Sequence, residues 1–298
     1  MKRFLCFRES RQNREKKEKK NRAGNALLWI FLLLLSIGCM TRLYEKAALA
    51  PASSGQTIFS TDRSVTSEEV QNQEAQGRNY EVKGKKLPIY CVETEKPQVA
   101  LSFDAAWGNE DTMKLMEILA KHNVKVTFFM TGGWVEKYPE DVKYIFSQGH
   151  DLGNHSENHK NMSQLGEAEM KEELKKVHDK VKELTGADMK LFRPPYGDYD
   201  SRVVEAADSL GYYPIQWDID SLDWKDYGSD AIVDKVLNHS HLGNGSIILM
   251  HNGAKYTPEA LDAIITGLKS KGYELVPISQ LIKKDQFHLN HEGRQISD

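Results

Sequence analysis

The chain has 298 residues, of which 28% are charged and 40% hydrophobic, with a formal net charge of −3. This composition excludes a collagen-like, a wholly disordered or a polytopic membrane protein, and at about 150 residues per domain it allows one or two domains. Residues 1–22 hold ten Lys or Arg against three Glu, which leaves the rest of the chain acidic. The body of the protein is therefore not expected to bind nucleic acid.

An uncharged apolar run, ALLWIFLLLLSIGCM at residues 26–40, follows the basic tail. It is shorter than the roughly 20 residues of a full membrane span and also suits the core of a signal peptide. Because the positive charges precede it, it predicts a signal anchor over residues 23–42, with residues 1–22 in the cytoplasm. Two alternatives stay open, since cleavage after Ala48-Leu49-Ala50 would give a secreted protein and Cys39 lies near a lipobox-like position.

Three further regions follow the predicted anchor. Residues 43–84 are rich in Ser, Thr, Gln, Glu and Asn, which is typical of a flexible extracytoplasmic spacer. Residues 85–285 are predicted to form a folded domain, and residues 286–298 to form a polar C-terminal tail.

Short apolar runs alternate with amphipathic stretches through the predicted domain. The seven runs of strand length are residues 99–103, 126–130, 151–154, 190–193, 214–218, 246–250 and 274–277. The predicted helices are residues 111–121, 167–184, 200–210, 230–238 and 258–269. Such alternation predicts an α/β fold in which helical crossovers join parallel strands, either as an open sheet or as a barrel.

Polar residues capable of chemistry follow five of these runs. They are Asp104, the segment Asn154-His155-Ser156-Glu157-Asn158-His159, the segment Arg193-Pro194-Pro195-Tyr196-Gly197, the segment Asp220-Ser221-Leu222-Asp223-Trp224, and His251. The C-terminal ends of parallel strands lie on one face of a sheet or barrel, and that face carries the active site. These five segments are therefore predicted to converge.

His155 and His159 are four residues apart, so on one helical turn their imidazoles would point the same way and bind one divalent ion. The pair also fits two ordinary surface histidines. It is not the zincin motif, because Ser156 stands where that motif has its glutamate. Two neutral imidazoles suit zinc, with cobalt or nickel as substitutes.

Two charge pairs are expected beside the histidines. A carboxylate at the edge of a core strand needs a partner, and Arg193 can hold Asp104 ionised and oriented. Asp223 can keep His251 protonated, which an acid catalyst requires. The alternatives are an N-cap or loop role for Asp104 and a carbonyl-bonded histidine for His251.

Taken together, the five segments resemble the five motifs of the polysaccharide deacetylase family, also called the NodB homology domain or carbohydrate esterase family 4. The resemblance covers about residues 87–284, in the family's order, and Ser-Phe-Asp-Ala-Ala-Trp-Gly-Asn-Glu-Asp is similar to a sporulation-associated subgroup. It implies a distorted parallel (β/α) barrel of about seven to eight strands. It also implies hydrolytic, metal-dependent removal of N-acetyl groups from GlcNAc or MurNAc polymers.

The resemblance also assigns roles to individual residues. It makes Asp104 the catalytic base and His251 the general acid. The other implied roles are Arg193 orienting the base, Asp223 tethering the acid, His155 and His159 binding the metal, and Pro195, Tyr196, Trp224 and Leu249 contacting the substrate.

One position departs from the family pattern, in which two aspartates are adjacent. The second position is Ala105, so the metal would lack its carboxylate ligand. Asn109, Glu110 or Asp111 could replace it, and so could water. The alternative function is a degenerate domain that only binds glycan, although retention of both predicted charge pairs argues for activity.

The sequence therefore predicts a membrane-anchored deacetylase of acetylated cell-wall glycan that uses a divalent metal, zinc first and cobalt, nickel or manganese after it. A non-catalytic wall-binding domain is the second hypothesis. An unrelated metallohydrolase is the third, and the absence of an HExxH glutamate counts against it.

Overall fold

The computed structural model describes residues 77–298. Within this part of the chain the strands are β1 Arg78–Asn79, β2 Glu81–Val82, β3 Lys85–Lys86, β4 Cys91–Val92, β5 Gln98–Ala105, β6 Thr127–Met130, β7 Asp151–Asn154, β8 Leu191–Phe192, β9 Tyr213–Pro214, β10 Ile219–Asp220, β11 Ile247–Asn252, β12 Glu274–Leu275, β13 Phe287–Leu289 and β14 Arg294–Ser297. The helices are α1 Thr112–Lys121, α2 Gly132–Lys137, α3 Pro139–Ser147, α4 Glu167–Thr185, α5 Ser201–Ser209, α6 Ser229–Leu237, α7 Thr257–Ser270 and α8 Ile278–Leu281.

An eight-stranded parallel sheet forms the centre of the domain. Its order is β10-β11-β5-β6-β7-β8-β9, and β12 pairs with the beginning of β5. This confirms the predicted α/β class and parallel strands. Among the described residues no strand ladder joins β9 to β10, so the barrel is incomplete. Ile89 lies beside β9, where its amide donates to the Pro214 carbonyl at 2.8 Å and its carbonyl accepts from the Gln216 amide at 2.7 Å.

Strand β5 shows how the sequence separates core from site. Val99, Leu101, Phe103 and Ala105 are fully buried in the apolar cluster that also contains residues of α1 and α7. Since successive side chains alternate between the two faces of a strand, the side chain of Asp104 is directed to the opposite face. Burying one Leu or Phe contributes about 1.5–3 kcal/mol, which fixes the register of this strand.

Helix α4 packs against the sheet through a stripe of apolar side chains at helical spacing. Met170, Leu174, Val177 and Val181 are all fully buried. The helix ends at Gly186, whose φ of 75° suits a glycine in the left-handed region. Its register also places the carboxylate of Glu173 on the buried side.

Two stretches differ from the sequence prediction. Residues 214–218 are not one strand, because β9 ends at Pro214, which has no amide hydrogen, and the chain then pairs with Ile89 before β10 begins. Residues 132–147, for which the sequence analysis proposed no helix, form α2 and α3. The Thr131 side chain caps the first of these helices, and Pro139 begins the second.

A second sheet has the strand order β1-β13-β14-β4. Its strands β1, β13 and β14 lie outside the predicted domain range of 85–285, and β4 lies inside it. Strand β1 falls within the residues expected to be spacer, and β13 and β14 fall within the expected C-terminal tail. Tyr80 and Phe287 are buried there and their rings meet edge to face, with centroids 5.4 Å apart. The polar composition around these few apolar residues concealed all three strands.

No helix within residues 77–298 is long and apolar enough to cross a membrane. The predicted anchor at residues 23–42 and the tail at residues 1–22 lie outside the described residues, as does most of the predicted spacer.

Candidate active site

The predicted acid and base lie on neighbouring strands. Asp104 on β5 is paired in register with His251 on β11. Residues directly opposite each other on adjacent strands project from the same face of a sheet, so both side chains reach one cleft. The cleft has a volume of about 680 Å³ and is lined in part by Asp104, His155, His159 and His251. The predicted convergence of these segments is therefore present in the structure.

Asp104 is buried and ion-paired with Arg193. The Arg193 Nη1 donates to Asp104 Oδ1 at 2.7 Å, and His155 Nε2 lies 3.5 Å from Asp104 Oδ2. Burial alone would raise the pKa of Asp104, but its neighbours together, with the positive charge of Arg193 first among them, outweigh burial and lower the pKa. The carboxylate is therefore ionised at neutral pH.

Arg193 is held on several sides, although it is fully buried. Its Nη2 donates to Ser102 Oγ at 2.8 Å and to the Gln216 carbonyl at 3.2 Å. Its guanidinium carbon lies 4.2 Å from the ring centroid of Phe129 and 5.6 Å from that of Trp217. The planar group is thus fixed by stacking and hydrogen bonds together, which orients the Asp104 carboxylate.

His251 is joined to Asp223 in the manner that the sequence predicts. The Asp223 Oδ1 lies 2.7 Å from His251 Nδ1, and Asp223 Oδ2 accepts both the His251 amide at 2.7 Å and Thr257 Oγ1 at 2.7 Å. Burial alone would lower the pKa of His251, but the hydrogen bond and charge of Asp223 raise it. Asp223 therefore favours the protonated imidazolium, with Nε2 left for the cleft.

His155 and His159 converge, but not on a helical turn as expected. Residues 155–159 form a loop in which Ser156 and His159 have positive φ values of 64° and 53°. The Asn154 side chain accepts from the Ser156 amide at 3.0 Å, and Ser156 Oγ accepts from the His159 amide at 3.0 Å. These bonds fold the loop back so that the two imidazole centroids lie 4.9 Å apart.

Both imidazoles are neutral, as metal ligands must be. Burial lowers the pKa of His155, and it lowers the pKa of His159 to about 4. The Arg193 carbonyl accepts a hydrogen bond from His155 Nδ1 at 2.7 Å, which leaves the lone pair on Nε2. Two neutral imidazoles are ligands of the kind that bind a divalent ion such as zinc.

The number of ligands falls short of a structural metal site. Within residues 77–298, no group of three or more His, Cys, Asp or Glu side chains could hold an ion. The three residues proposed to replace the missing carboxylate do not join the histidines. Asn109 donates to Asp141 and Asp111 accepts from the Gly253 amide, while the Glu110 carboxylate lies against Gly108. Ala105 itself lies in the apolar cluster. The site therefore fits an ion held by two imidazoles, with its other positions open.

Three of the four residues expected to contact substrate line the cleft. Tyr196, Trp224 and Leu249 line the cleft, whereas Pro195 is buried and is not part of the lining. Tyr196 has a positive φ of 60°, and its ring lies 4.5 Å from that of His159. Tyr196 and Trp224 are more than half exposed, so they present aromatic surface to a ligand.

The sequence did not predict three residues whose side chains contact the site residues. Ser102 lies two residues before Asp104, and the two-residue period of a strand places both on one face, so this signal was available. Thr257 reaches Asp223 from 34 positions along the chain, which no local pattern indicates. Trp107 packs against His251 with ring centroids 5.3 Å apart; it lies in the segment 102–111 that carries the resemblance, but the resemblance assigned it no role.

Comparison with known proteins agrees with this geometry. The family profile described as polysaccharide deacetylase matches residues 92–215. A peptidoglycan-N-acetylglucosamine deacetylase of Bacillus cereus is 36% identical over 192 residues, which are 63% of this chain and 69% of that protein. The chain belongs to the polysaccharide deacetylase family.

Two other similar proteins are not named as active enzymes. The uncharacterized protein YlxY of Bacillus subtilis is 38% identical over 195 residues, which cover 65% of this chain and 60% of YlxY. The structure of BA3943 from Bacillus anthracis, described as a CE4 family pseudoenzyme, has 36% identity and a TM-score of 0.64, covering 66% of this chain and 69% of that one. A mutant of BA3943, at 37% identity and the same TM-score, is described as having restored enzymatic activity, with 66% and 72% of the two chains covered.

Proposed function

We propose that this protein hydrolyses N-acetyl groups of cell-wall polysaccharide and releases acetate. The observation that carries the proposal is the register of β5 and β11, which directs an ionised Asp104 and an Asp223-bound His251 into one cleft. A pure binding module has no need for a separately tuned base and acid. The deacetylase activity named for the Bacillus cereus relative supports the same reaction class.

The reaction follows from the protonation states of these two groups. The oxygen of a water molecule attacks the amide carbonyl carbon while Asp104 accepts a proton from that water. Arg193 keeps the Asp104 carboxylate directed at the water. The C–N bond then breaks, and His251 gives its proton to the departing nitrogen. A divalent ion bound at His155 and His159 would polarise the carbonyl and make the water more acidic. The products are acetate and a free amine on the sugar.

The cleft walls suit a sugar polymer. Tyr196 and Trp224 offer exposed aromatic faces, on which sugar rings stack through their C–H groups, and the buried Leu249 provides an apolar surface for the acetyl methyl group. We assign the substrate class as acetylated GlcNAc or MurNAc glycan of peptidoglycan, or chitin-like oligomers. The proposal includes an extracytoplasmic domain anchored by residues 23–42 and a role in sporulation, both of which rest on the sequence analysis.

Acetate release by the purified full-length chain tests this function. We expect turnover of chitooligosaccharides or peptidoglycan fragments with zinc, cobalt, nickel or manganese supplied, and at least a 100-fold loss in Asp104→Asn and in His251→Ala. Asp285→Asn, an exposed change of the same type, is the control and should retain full activity. Absence of turnover with every metal and both substrates would reject the enzymatic function.

A second candidate, a glycan-binding domain without catalysis, is favoured by Ala105 and by the description of BA3943 as a pseudoenzyme. It predicts no acetate release. Isothermal calorimetry should then show glycan binding that is the same with and without metal, and the same in Asp104→Asn. Binding that is lost on chelation of metal would count against this candidate.

A further inference from the structure

The loop that carries both histidines, residues 155–159, is held in a conformation that the chain does not favour on its own. Its two non-glycine residues with positive φ, Ser156 and His159, adopt a backbone conformation that is unfavourable for residues with a side chain. Such strain persists only where surrounding contacts maintain it. The hydrogen bond within the loop joins Ser156 to His159, whereas Asn158 is held by a residue outside the loop.

Helix α4 supplies those outside contacts at two consecutive residues. Glu173 Oε2 accepts the Asn158 amide at 2.7 Å, and Glu173 Oε1 accepts Asn158 Nδ2 at 2.7 Å. The neighbouring Leu174 carbonyl accepts Asn154 Nδ2 at 2.7 Å, immediately before the loop. One turn of a well-packed helix therefore holds both ends of the histidine loop.

Glu173 is an unusual residue for its position. Its side chain is only 4% exposed and lies among the buried Met170, Leu174 and Val177 on the same helix. Desolvating a carboxylate costs free energy that its partners at best offset, so such a group is weak evidence for a stabilising role. Lys160 Nζ, 3.2 Å away, balances part of the charge.

We propose that Glu173 is a positioning residue for the two histidines, which it acts on through Asn158. The carboxylate fixes the backbone before His159, and this brings its ring to His155. The role rests on the proposed use of both imidazoles as metal ligands. With two protein ligands instead of three, the affinity for the ion depends strongly on how well those two are held in advance.

Zinc titration of the full chain tests the proposal, with Glu173→Gln as the variant and Glu183→Gln as its control. Glu183 is exposed on the same helix, so the control makes the same chemical change away from the loop. Glutamine retains the size of glutamate but can accept only one of the two Asn158 hydrogen bonds. We expect zinc affinity to fall at least tenfold in Glu173→Gln and to be unchanged in Glu183→Gln. The visible absorption of bound cobalt should change in parallel.

A second readout needs no metal. In the metal-free protein, amide hydrogen exchange at Asn158 and His159 should accelerate at least tenfold in Glu173→Gln, while exchange in β5 and β11 stays at wild-type rates. Asn158→Ala, which leaves the carboxylate in place, should show a smaller effect. The double variant should be no worse than Glu173→Gln alone, since both changes remove the same contact.

The outcomes separate this proposal from the proposed function. Wild-type exchange rates at Asn158 and His159 in Glu173→Gln would overturn the positioning role, whatever the metal affinity. If the wild-type chain binds neither zinc nor cobalt, the metal-assisted function fails, and the exchange rates still decide the role of Glu173. Where Glu173→Gln does not fold, Asn158→Ala decides it by the same exchange measurement.

Discussion

In each of the two charge pairs, the charge of one member shifts the pKa of the other. Asp104 stays ionised because Arg193 lies beside it, and His251 gains a proton because Asp223 lies beside it. The pKa of Asp104 is lowered, whereas the pKa of His251 is raised. The cleft consequently holds a base and an acid at the same neutral pH.

Asp223→Asn tests this at the residue scale. The raised pKa of His251 means that its acid form persists to higher pH, so removing the charge of Asp223 should lower that pKa. NMR titration of the His251 ring measures the pKa directly, and the alkaline limb of any activity profile should move to lower pH with it. Asp226→Asn, a change of the same type in the cleft lining, is the control. An unchanged pKa in Asp223→Asn would contradict the assigned cause.

At the scale of single elements, the Phe129 ring on β6 lies over Gly153 on the adjacent strand β7. A Cβ atom on Gly153 would lie 2.4 Å from Phe129 Cδ1, and the Phe129 ring in turn lies under Arg193. Glycine is required here because the Phe129 ring occupies the space that a side chain would take.

Gly153→Ala should therefore destabilise the domain by about 1–3 kcal/mol through overpacking. Chemical denaturation measures this free energy of unfolding. Gly133→Ala is the matched control, since no atom lies within 4 Å of its added Cβ, and it should be neutral or slightly stabilising. Equal losses in the two variants would show that the Phe129 contact is not the cause.

The sequence predicted those elements whose own residues carry the signal. Strands β5, β6 and β11 are buried and largely apolar, and their bounds and those of the more polar β7 were nearly right. The two charge pairs were predictable because a carboxylate or an imidazole at a strand end needs a partner of known chemistry. The division of residues 214–218 depends on the distant Ile89, and Glu173 reaches the histidine loop from another element. No local pattern reports such contacts.

At the scale of the whole molecule, the segments on either side of residues 85–285 contribute to the fold. Residues 77–84 and 286–298 supply Tyr80, Phe287 and Leu289, whose side chains are all buried. Burying one Leu or Phe side chain contributes about 1.5–3 kcal/mol, so loss of these segments should weaken the domain.

A fragment of residues 85–285 should accordingly be insoluble or melt at least about 10 °C below a fragment of residues 77–298. Differential scanning calorimetry on the two fragments makes the comparison. Equal melting temperatures would mean that the second sheet is dispensable, and the domain bounds predicted from sequence would then be sufficient.

Asp218 links whole-molecule stability to pH. Burial raises its pKa to about 6, above the ordinary value of about 3.9, so the folded protein binds this proton more tightly than the unfolded chain does. The resulting stability is complete below about pH 4 and is lost as the pH rises through 6.

Asp218→Asn should therefore raise stability at pH 7 by up to about 2 kcal/mol and leave it unchanged near pH 4. The amide oxygen of asparagine can still accept from the Ile247 amide, as Asp218 Oδ1 does. Melting temperatures measured from pH 4 to pH 8 test this, with the exposed Asp285→Asn as the control. A stabilisation that is equal at all pH values would exclude the titration of Asp218 as its origin.

The pairing of Asp104 with His251 across adjacent strands has a mechanical consequence. Backbone ladders on both edges of β5 hold the proton acceptor and the proton donor at a fixed separation. Loop movement around the cleft leaves that separation unaltered, because neither group belongs to a loop. Under the proposed function, adaptation to different glycans would come from the exposed rings of Tyr196 and Trp224, while the spacing of Asp104 and His251 stays the same for every substrate.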